Sequence, residues 1–183
     1  MENIEKEPIS IMQAIPDDAE SICKMRMTVW LATYPNETFA ITKEDIEEKL
    51  KSTLSPAGIE KTRSKIIESV GGNSMMFVAK AGSTPIGFCL CVKTEEYNQL
   101  QAIYILPEFQ GKGIGKQLWE KAMTFFGGND KKIIVHVATY NQNAIDFYKN
   151  LGFVDTGKTF SDEQFRMKNG SIIPETELVI ERK

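Results

Sequence analysis

The segment YILPEFQGKGIGKQLWEKAM, residues 104–123, sets three glycines between an apolar, strand-like run and an amphipathic, helix-like run. Gly111, Gly113 and Gly115 stand where a helix should be starting. Each glycine in a helix costs about 1 kcal/mol relative to alanine, so the pattern needs a physical reason. One reason is a backbone that must come close to a ligand, and the alternative is an ordinary surface loop. In both cases the segment predicts a strand, a tight turn and a helix in that order.

Two familiar phosphate-binding sequences do not fit this segment. In the P-loop pattern the first glycine would fall on Gln110, and the closing serine or threonine would fall on Gln117. In the dinucleotide fingerprint the third glycine would fall on Lys116 or on Leu118. Neither site is therefore predicted.

The segment nevertheless has the features of an anion site. The first N–H groups of a helix have no partner within the helix, and the helix dipole adds partial positive charge there. Glycine keeps side chains away, so a phosphate can reach the bare amides. Lys112 and Lys116 add positive charge nearby. The sequence therefore favours a phosphate-binding turn over a plain loop.

Hydrophobic periodicity along the rest of the chain predicts one mixed α/β domain. Ile22, Met25 and Val29 recur at helical spacing, and the turn at 82–85 joins two apolar runs as a hairpin. The predicted order is strand 9–14, helices 18–33, 42–52 and 56–70, strands 75–81, 86–92 and 100–107, helix 113–126, strand 132–139, helix 141–150 and, within 165–182, two strands around Asn169-Gly170-Ser171.

The composition argues against several classes of function. A formal net charge of −3 over 183 residues disfavours nucleic acid as the main partner. Cys23, Cys89 and Cys91 form no C-x-x-C pair, and an odd count makes no disulfide framework. Cys89 and Cys91 alternate in an apolar run, so we expect buried, reduced thiols on one strand face. His136 is the single histidine, so no metal site is expected.

The N-terminal stretch MENIEKEPIS is acidic and has no apolar core, so it does not resemble a secretory signal. The chain also has no run of 18 apolar residues, the length that a membrane-spanning helix needs. The sequence therefore predicts a cytoplasmic protein with no membrane partner.

Two motifs in order carry a family resemblance. Gln110-x-x-Gly113-x-Gly115 follows a strand and precedes a helix, and NQNAIDFYKNLGF follows at residues 141–153 after one helix and one strand. Together they resemble the GNAT superfamily of N-acetyltransferases, whose second segment runs Asn-x-x-Ala-x-x-x-Tyr-x-x-x-Gly-Phe. The resemblance covers roughly residues 100–153.

The resemblance implies a single acetyltransferase domain over residues 1–183, with a central, mostly antiparallel sheet flanked by helices. The strands at 100–107 and 132–138 would splay apart at a bulge and hold the thioester of acetyl-CoA, the co-substrate. Residues of about 100–153 would bind acetyl-CoA, and helices at about 18–70 would cover the acceptor. The implied contacts are Ile103, Tyr104 and Ile105 with the pantetheine arm, Gln110, Gly111, Lys112, Gly113, Ile114, Gly115 and Lys116 with the pyrophosphate, and Asn141, with Asn143 as a second candidate, with the arm again.

By the same resemblance Tyr148 would protonate the departing thiolate. A tyrosine of pKa about 10 is a workable acid toward a thiolate whose parent thiol has a pKa of about 8.5. The alternative is core packing, because Tyr148 lies four residues after Ala144 on one helix face. Asn141 likewise has an alternative role as a helix cap.

The general base is not evident. Many members of the family carry a glutamate on the strand before the glycine segment, but Gln99 and Gln101 hold those positions here, and glutamine is not a base. Glu95 and Glu96 lie further back. His136 is a candidate only if it faces the thioester.

The acceptor side is predicted from residues 26–39. Trp30, Tyr34 and Phe39 could form an apolar wall, and Glu37 could pair with an amine. The alternative is that Trp30 packs in the core and the loop has no role. The segment loosely resembles bacterial polyamine and small-amine acetyltransferases, and the negative charge mildly suits a cationic acceptor.

These features predict an enzyme that moves the acetyl group of acetyl-CoA to a primary amine of a small, polyamine-like molecule or a protein by direct attack. The alternative is a non-catalytic CoA-binding regulatory module with the same fold. Either a monomer or a homodimer is expected, since an exposed strand at 175–181 could pair across a dimer.

Overall fold

The computed structural model describes residues 7–128 and 130–182, and most of the acidic N-terminal stretch considered above as a signal lies outside them. Across the described residues the chain forms five α-helices and seven strands. In chain order they are β1 Ile9–Gln13, α1 Ala19–Thr33, α2 Lys43–Leu50, α3 Pro56–Glu68, β2 Ser74–Ala81, β3 Thr84–Lys93, β4 Asn98–Ile105, α4 Ile114–Phe126, β5 Ile133–Ala138, α5 Gln142–Asn150, β6 Val154–Arg166 and β7 Ile172–Ile180. This is the predicted order of elements.

The strands form one sheet in the order β1-β2-β3-β4-β5-β7-β6. Every neighbouring pair is antiparallel except β4 and β5, which run parallel because α4 connects them as a crossover. The predicted α/β fold, a mostly antiparallel sheet flanked by helices, is confirmed.

The parallel pair is where the sheet opens. β4 and β5 pair at Asn98 with Ile133 and at Gln99 with Ile134, and the ladder ends there. On its other edge β4 carries a bulge, since Leu100 opposes Cys91 and Ala102 opposes Leu90, which leaves Gln101 as the extra residue. The predicted splay and bulge are therefore both present.

The two faces of the sheet bury different clusters. Cys89 and Leu118 belong to the cluster under α4 and α5, while the neighbouring Phe88 packs with Ile22 of α1 on the opposite face. A third cluster joins Trp30 of α1 to the ends of β5 and β7. Alternation along the strands thus places α1, α2 and α3 on one face and α4 and α5 on the other.

The predicted helix starts are mostly as expected. The Thr42 hydroxyl accepts from the Asp45 N–H at 3.1 Å, and the Ser55 hydroxyl accepts from the Gly58 N–H at 3.1 Å. Asp18 stands at the start of α1 without capping it, because its carboxylate accepts from the Ile15 N–H at 3.0 Å and pairs with Lys80.

The sequence missed most of β6. A strand was expected only from residue 165, whereas β6 begins at Val154. The strand lies at the sheet edge with mostly exposed, polar side chains, so it lacks the apolar alternation that reveals a strand. The expectation of an exposed strand at 175–181 was also wrong, because β7 pairs with β5 along one edge and with β6 along the other. Most of β6 was not predicted, so its pairing with β7 was not foreseen.

The cysteines are as expected. Cys23, Cys89 and Cys91 are all free of disulfides and buried, and a hydrogen bond with Cys89, followed by burial, raises the pKa of the Cys91 thiol. Among the described helices, none has the length and apolar character needed to cross a membrane.

Candidate active site

A cavity of about 880 Å³ lies where β4 and β5 diverge. Its walls come from both strands, from the turn and first residues of α4, from α5 and from the end of α1. This volume is in the range of small-molecule and cofactor sites. Of the residues singled out from the sequence, the cavity is lined by Tyr34, Ile103, Tyr104, Ile105, Gln110, Gly111, Gly113, Ile114, Gly115, Lys116, Asn141, Asn143 and Tyr148.

The glycines of the turn are required for two different structural reasons. Gly111 and Gly113 have φ of 73° and 78°, a left-handed conformation that side chains disfavour, and a Cβ on either would meet no atom within 4 Å. Gly113 is the N-cap of α4, so the open space lies over the helix N-terminus. Gly115 differs, because its Cβ would lie 3.0 Å from the Phe147 ring. It permits close packing of α4 on α5.

The polar side chains of the turn also divide. Gln110 Nε2 donates to the Ile105 carbonyl at 3.0 Å, which ties the turn to the end of β4. Lys116 lines the cavity. Lys112 is not part of the lining, and its ammonium lies 4.9 Å from the centre of the Phe109 ring.

Asn141 and Asn143 lie at the start of α5. Asn141 is the N-cap, and its Oδ1 accepts from the Ala144 N–H at 3.2 Å. The carboxamide has two further N–H donors for a ligand carbonyl, so capping and ligand contact are compatible. Asn143 is exposed along the same cavity edge.

Tyr148 is buried, with 5% of its surface exposed, and its ring packs against those of Phe147 and Phe153. Tyr148 therefore belongs to the core and also lines the cavity, and its role as an acid stays a prediction. Burial, helped by Tyr104, raises the pKa of Tyr148 well above its ordinary value, so the side chain is a neutral phenol that can donate a proton.

A group of aromatic side chains lies on the side of the cavity next to α1, where the acceptor was expected. Trp30 does not line the cavity but donates from Nε1 to the Tyr104 hydroxyl at 3.1 Å, and the Tyr34 and Tyr104 hydroxyl oxygens lie 3.5 Å apart. Burial raises the pKa of Tyr34 well above its usual range. Glu37 is exposed in the loop after α1 and does not reach the lining.

Sequence reasoning missed Tyr140. Its hydroxyl donates to the Tyr34 carbonyl at 2.9 Å, and its ring stacks on that of Phe39 with the ring centres 5.3 Å apart. Burial raises the pKa of Tyr140 to about 12. The side chain therefore fastens the loop after α1 to the end of β5. A tyrosine beside the Asn141 motif was the only available signal.

His136 does face the cavity. It lies on β5 just past the last residue pair with β4, with Nε2 3.5 Å from Glu177 Oε2 and its ring against Phe160. Burial lowers the pKa of His136, against the opposing effect of Glu177, so the imidazole is neutral near pH 7. Gln101 lines the same cavity but, being an amide, accepts no proton.

Glu175 is the second residue that the sequence did not reveal. It lies on β7 opposite Ala138, with 6% of its surface exposed. Burial, followed by the negative charge of Asp162, raises the pKa of Glu175 to about 7. No feature of the sequence distinguishes this glutamate from the exposed ones around it.

The mixed sheet opens at one parallel pair, and a glycine turn at a helix N-terminus lies beside the opening, so the cavity can take a ligand that carries a phosphate group. The chain belongs to the acetyltransferase (GNAT) family, whose sequence model matches residues 39–153. Membership makes acetyl-CoA the co-substrate and confirms the resemblance identified from the two motifs.

Two curated relatives show the breadth of the family. The spermidine N(1)-acetyltransferase of Thermoplasma acidophilum is 30% identical over 149 residues, which is 78% of this chain and 86% of that protein. The peptidyl-lysine N-acetyltransferase YjaB of Salmonella typhimurium is 38% identical over 79 residues, 43% of this chain and 49% of that protein. The chain thus spans less than half the length of some curated relatives that it matches.

Among solved structures, the fold is similar to that of the PaiA N-acetyltransferase from Thermoplasma acidophilum in complex with coenzyme A. The TM-score is 0.73 at 24% identity, over 96% of this chain and 99% of the other. At this identity the comparison supports the fold.

Proposed function

We propose that this protein is an N-acetyltransferase that moves the acetyl group of acetyl-CoA to a primary amine by direct attack. The acceptor would be a small cationic, polyamine-like molecule or a lysine side chain. The observation that carries the proposal is that one cavity joins the glycine turn of α4, the diverging strands β4 and β5, and Tyr148. In this proposal residues 1–183 are one domain, with about 18–70 on the acceptor side and about 100–153 as the acetyl-CoA core.

The co-substrate would lie along backbone. Past Gln99 the edge of β4 that faces β5 pairs with no strand in the described ranges, so residues 103–105 can pair with the amide groups of the pantetheine arm as with an added strand. The pyrophosphate would contact the amides of 110–116, where the α4 dipole favours negative charge. Asn141 would donate to the arm.

The reaction then needs three proton transfers. The acceptor ammonium, with a pKa of about 10.4, first gives a proton to neutral His136, which Glu177 orients. The free amine attacks the thioester carbonyl carbon, and the C–N bond forms as the C–S bond breaks. Sulfur takes the hydroxyl proton of Tyr148, and the proton lost by the new amide nitrogen returns to the phenolate. A coenzyme A thiol buried in the same cavity would also have a raised pKa, which would bring that pKa closer to the pKa of Tyr148.

A non-catalytic CoA-binding module is the second candidate, and it is favoured by Gln101 at the bulge where a carboxylate would serve as base. His136 on the opposite strand supplies the missing base, which is why we prefer the enzyme.

The three unpaired cysteines suit the reducing cytoplasm that the sequence predicts.

Release of free thiol from acetyl-CoA tests the proposal, with polyamines, aminoglycosides, amino acids and lysine peptides as acceptors. We expect turnover with cationic amines and loss of turnover in His136→Gln without loss of acetyl-CoA binding. Binding of acetyl-CoA without turnover on any acceptor would favour the module instead.

A further inference from the structure

Glu175 is a buried acid, and one of its carboxyl oxygens has no hydrogen-bond partner among the described residues. Its Oε2 is shielded from solvent and makes no hydrogen bond with any described residue. Leaving a carboxyl oxygen in this state costs free energy that a native fold seldom tolerates without a reason. The buried Asp18 shows the contrast, because its carboxylate lies 2.6 Å from the Lys80 ammonium.

The position of Glu175 relates it to the acceptor side of the cavity. Directly opposed residues of antiparallel strands share a sheet face, so Glu175 lies on the same face as Ala138, and Glu177 on the same face as His136. Ala138 and His136 both line the cavity. The negative charge of Glu175 also acts on Tyr34, another lining residue, and helps raise its pKa. Glu175 is not itself a lining residue, but it lies on the sheet face that carries these lining residues.

The surroundings of Glu175 are acidic and aromatic. Asp162 of β6 acts on it electrostatically, and Glu177 lies two residues along the same strand. The ammonium of Lys158 on β6 lies 3.7 Å from Glu177 Oε2. Phe160 of β6 lies opposite Glu175. A buried carboxyl with acidic and aromatic neighbours is an environment that a cation would stabilise.

We propose that Glu175 binds a second ammonium group of the acceptor, so that the preferred substrates are diamines or polyamines rather than monoamines. This inference rests on the proposed function, because it assigns the distal end of the acceptor in that same cavity. Peptidyl-lysine offers no second ammonium at a fixed distance and would be a poorer substrate. The pKa of about 7 supports the assignment, since an incoming ammonium compensates the carboxylate and lets it ionise.

The test compares acceptors that differ only in the distal group. Rates with putrescine and butylamine, and with cadaverine and pentylamine, are measured in the wild type and in Glu175→Gln. We expect each diamine to be preferred by roughly ten- to hundredfold in kcat/KM, the range of a charge-assisted hydrogen bond. Glu175→Gln should remove this preference through the KM of the diamine, so that each diamine and its matched monoamine then have similar values of kcat/KM.

A control variant and a second readout make the result decisive. Glu163→Gln removes an exposed carboxylate of β6 and should keep the diamine preference. Titration calorimetry of putrescine and butylamine into the CoA-saturated protein reports binding without turnover. Absence of diamine selectivity in the wild type, or equal weakening of both amines in Glu175→Gln, overturns the assignment. Selective diamine binding that Glu175→Gln removes supports it even if no thiol is released, a result that would contradict only the proposed function.

Discussion

The two sides of the cavity are built from different materials. The side assigned to acetyl-CoA is mostly main chain, contributed by β4, the glycine turn and the first turn of α4, all within residues 98–116. The opposite side is made of side chains from distant segments, with Tyr34 directly after α1 and His136 on β5. Glu175 lies on β7, on the sheet face that carries His136 and Ala138. Backbone groups suit acetyl-CoA, a ligand that is the same in every turnover. Side chains on the other side could differ between proteins that use different acceptors. Variants that separate these two sides therefore test the whole interpretation.

The largest effect is expected on the backbone side, from Gly113→Glu. The variant forces a side chain into a φ of 78° and adds a carboxylate over the amides assigned to the pyrophosphate. Acetyl-CoA binding measured by calorimetry should be abolished. Gly71→Glu is a matched control, because Gly71 has a φ of 75° with open space around it but lies outside the cavity lining. Equal binding by the two variants would remove the phosphate assignment.

Tyr148→Phe should have the next largest effect and should leave binding alone. Loss of one general acid reduces kcat by about a thousandfold, while the phenyl ring still fills the core beside Phe153. Single-turnover thiol release and the dissociation constant for acetyl-CoA are the two measurements, with Tyr97→Phe as a control outside the cavity lining. Unchanged turnover would leave Tyr148 as a packing residue only.

Glu175→Gln should stabilise the folded protein above neutral pH. The pKa of Glu175 rises from 4.5 to about 7 on folding, so the folded state holds the proton more tightly. Stability is then lost as the pH rises from about 4.5 to about 7, by roughly 3 kcal/mol in total. Urea unfolding at about pH 4.5 and about pH 8 should show this loss in the wild type but not in Glu175→Gln. Parallel pH dependence in the two proteins would mean that the carboxyl is solvated.

Tyr104→Phe should have the smallest effect. Tyr104 contributes to both sides of the cavity, and the variant changes its contribution to only one of them. Its main chain belongs to the strand assigned to the pantetheine arm, whereas its hydroxyl accepts from Trp30 and lies beside the Tyr34 hydroxyl. The variant should leave acetyl-CoA affinity intact and raise the acceptor KM several-fold, for a loss of about 1 kcal/mol. If the variant weakened acetyl-CoA binding as much as acceptor binding, the two sides of the cavity would not be independent.

The same division explains what the sequence could predict. The glycine turn, its flanking strand and helix, and α5 are contiguous segments with local signals, and all were expected where they lie. The other side depends on which distant residues the sheet brings together. β6 has polar, exposed side chains and so gave no strand signal, and without β6 the position of Glu175 between two strands could not be foreseen.

Trp30 and Glu37 show the limit at the level of side chains. Both belong to the segment expected to face the acceptor. Trp30 instead donates a hydrogen bond to the Tyr104 hydroxyl, and Glu37 is exposed in the loop after α1. Helical spacing predicts which residues share a face, but the direction of a loop depends on contacts such as that of Tyr140 with Tyr34.

The short parallel ladder between β4 and β5 has a mechanical consequence. In the described part of the sheet, Asn98 with Ile133 and Gln99 with Ile134 are the only strand pairs between the block β1–β4 and the block β5–β7. A co-substrate lying between the blocks would clamp them together, so the stiffness of the sheet would rise and fall with each catalytic cycle. Amide hydrogen exchange along β5 should slow when acetyl-CoA binds and quicken again when coenzyme A leaves.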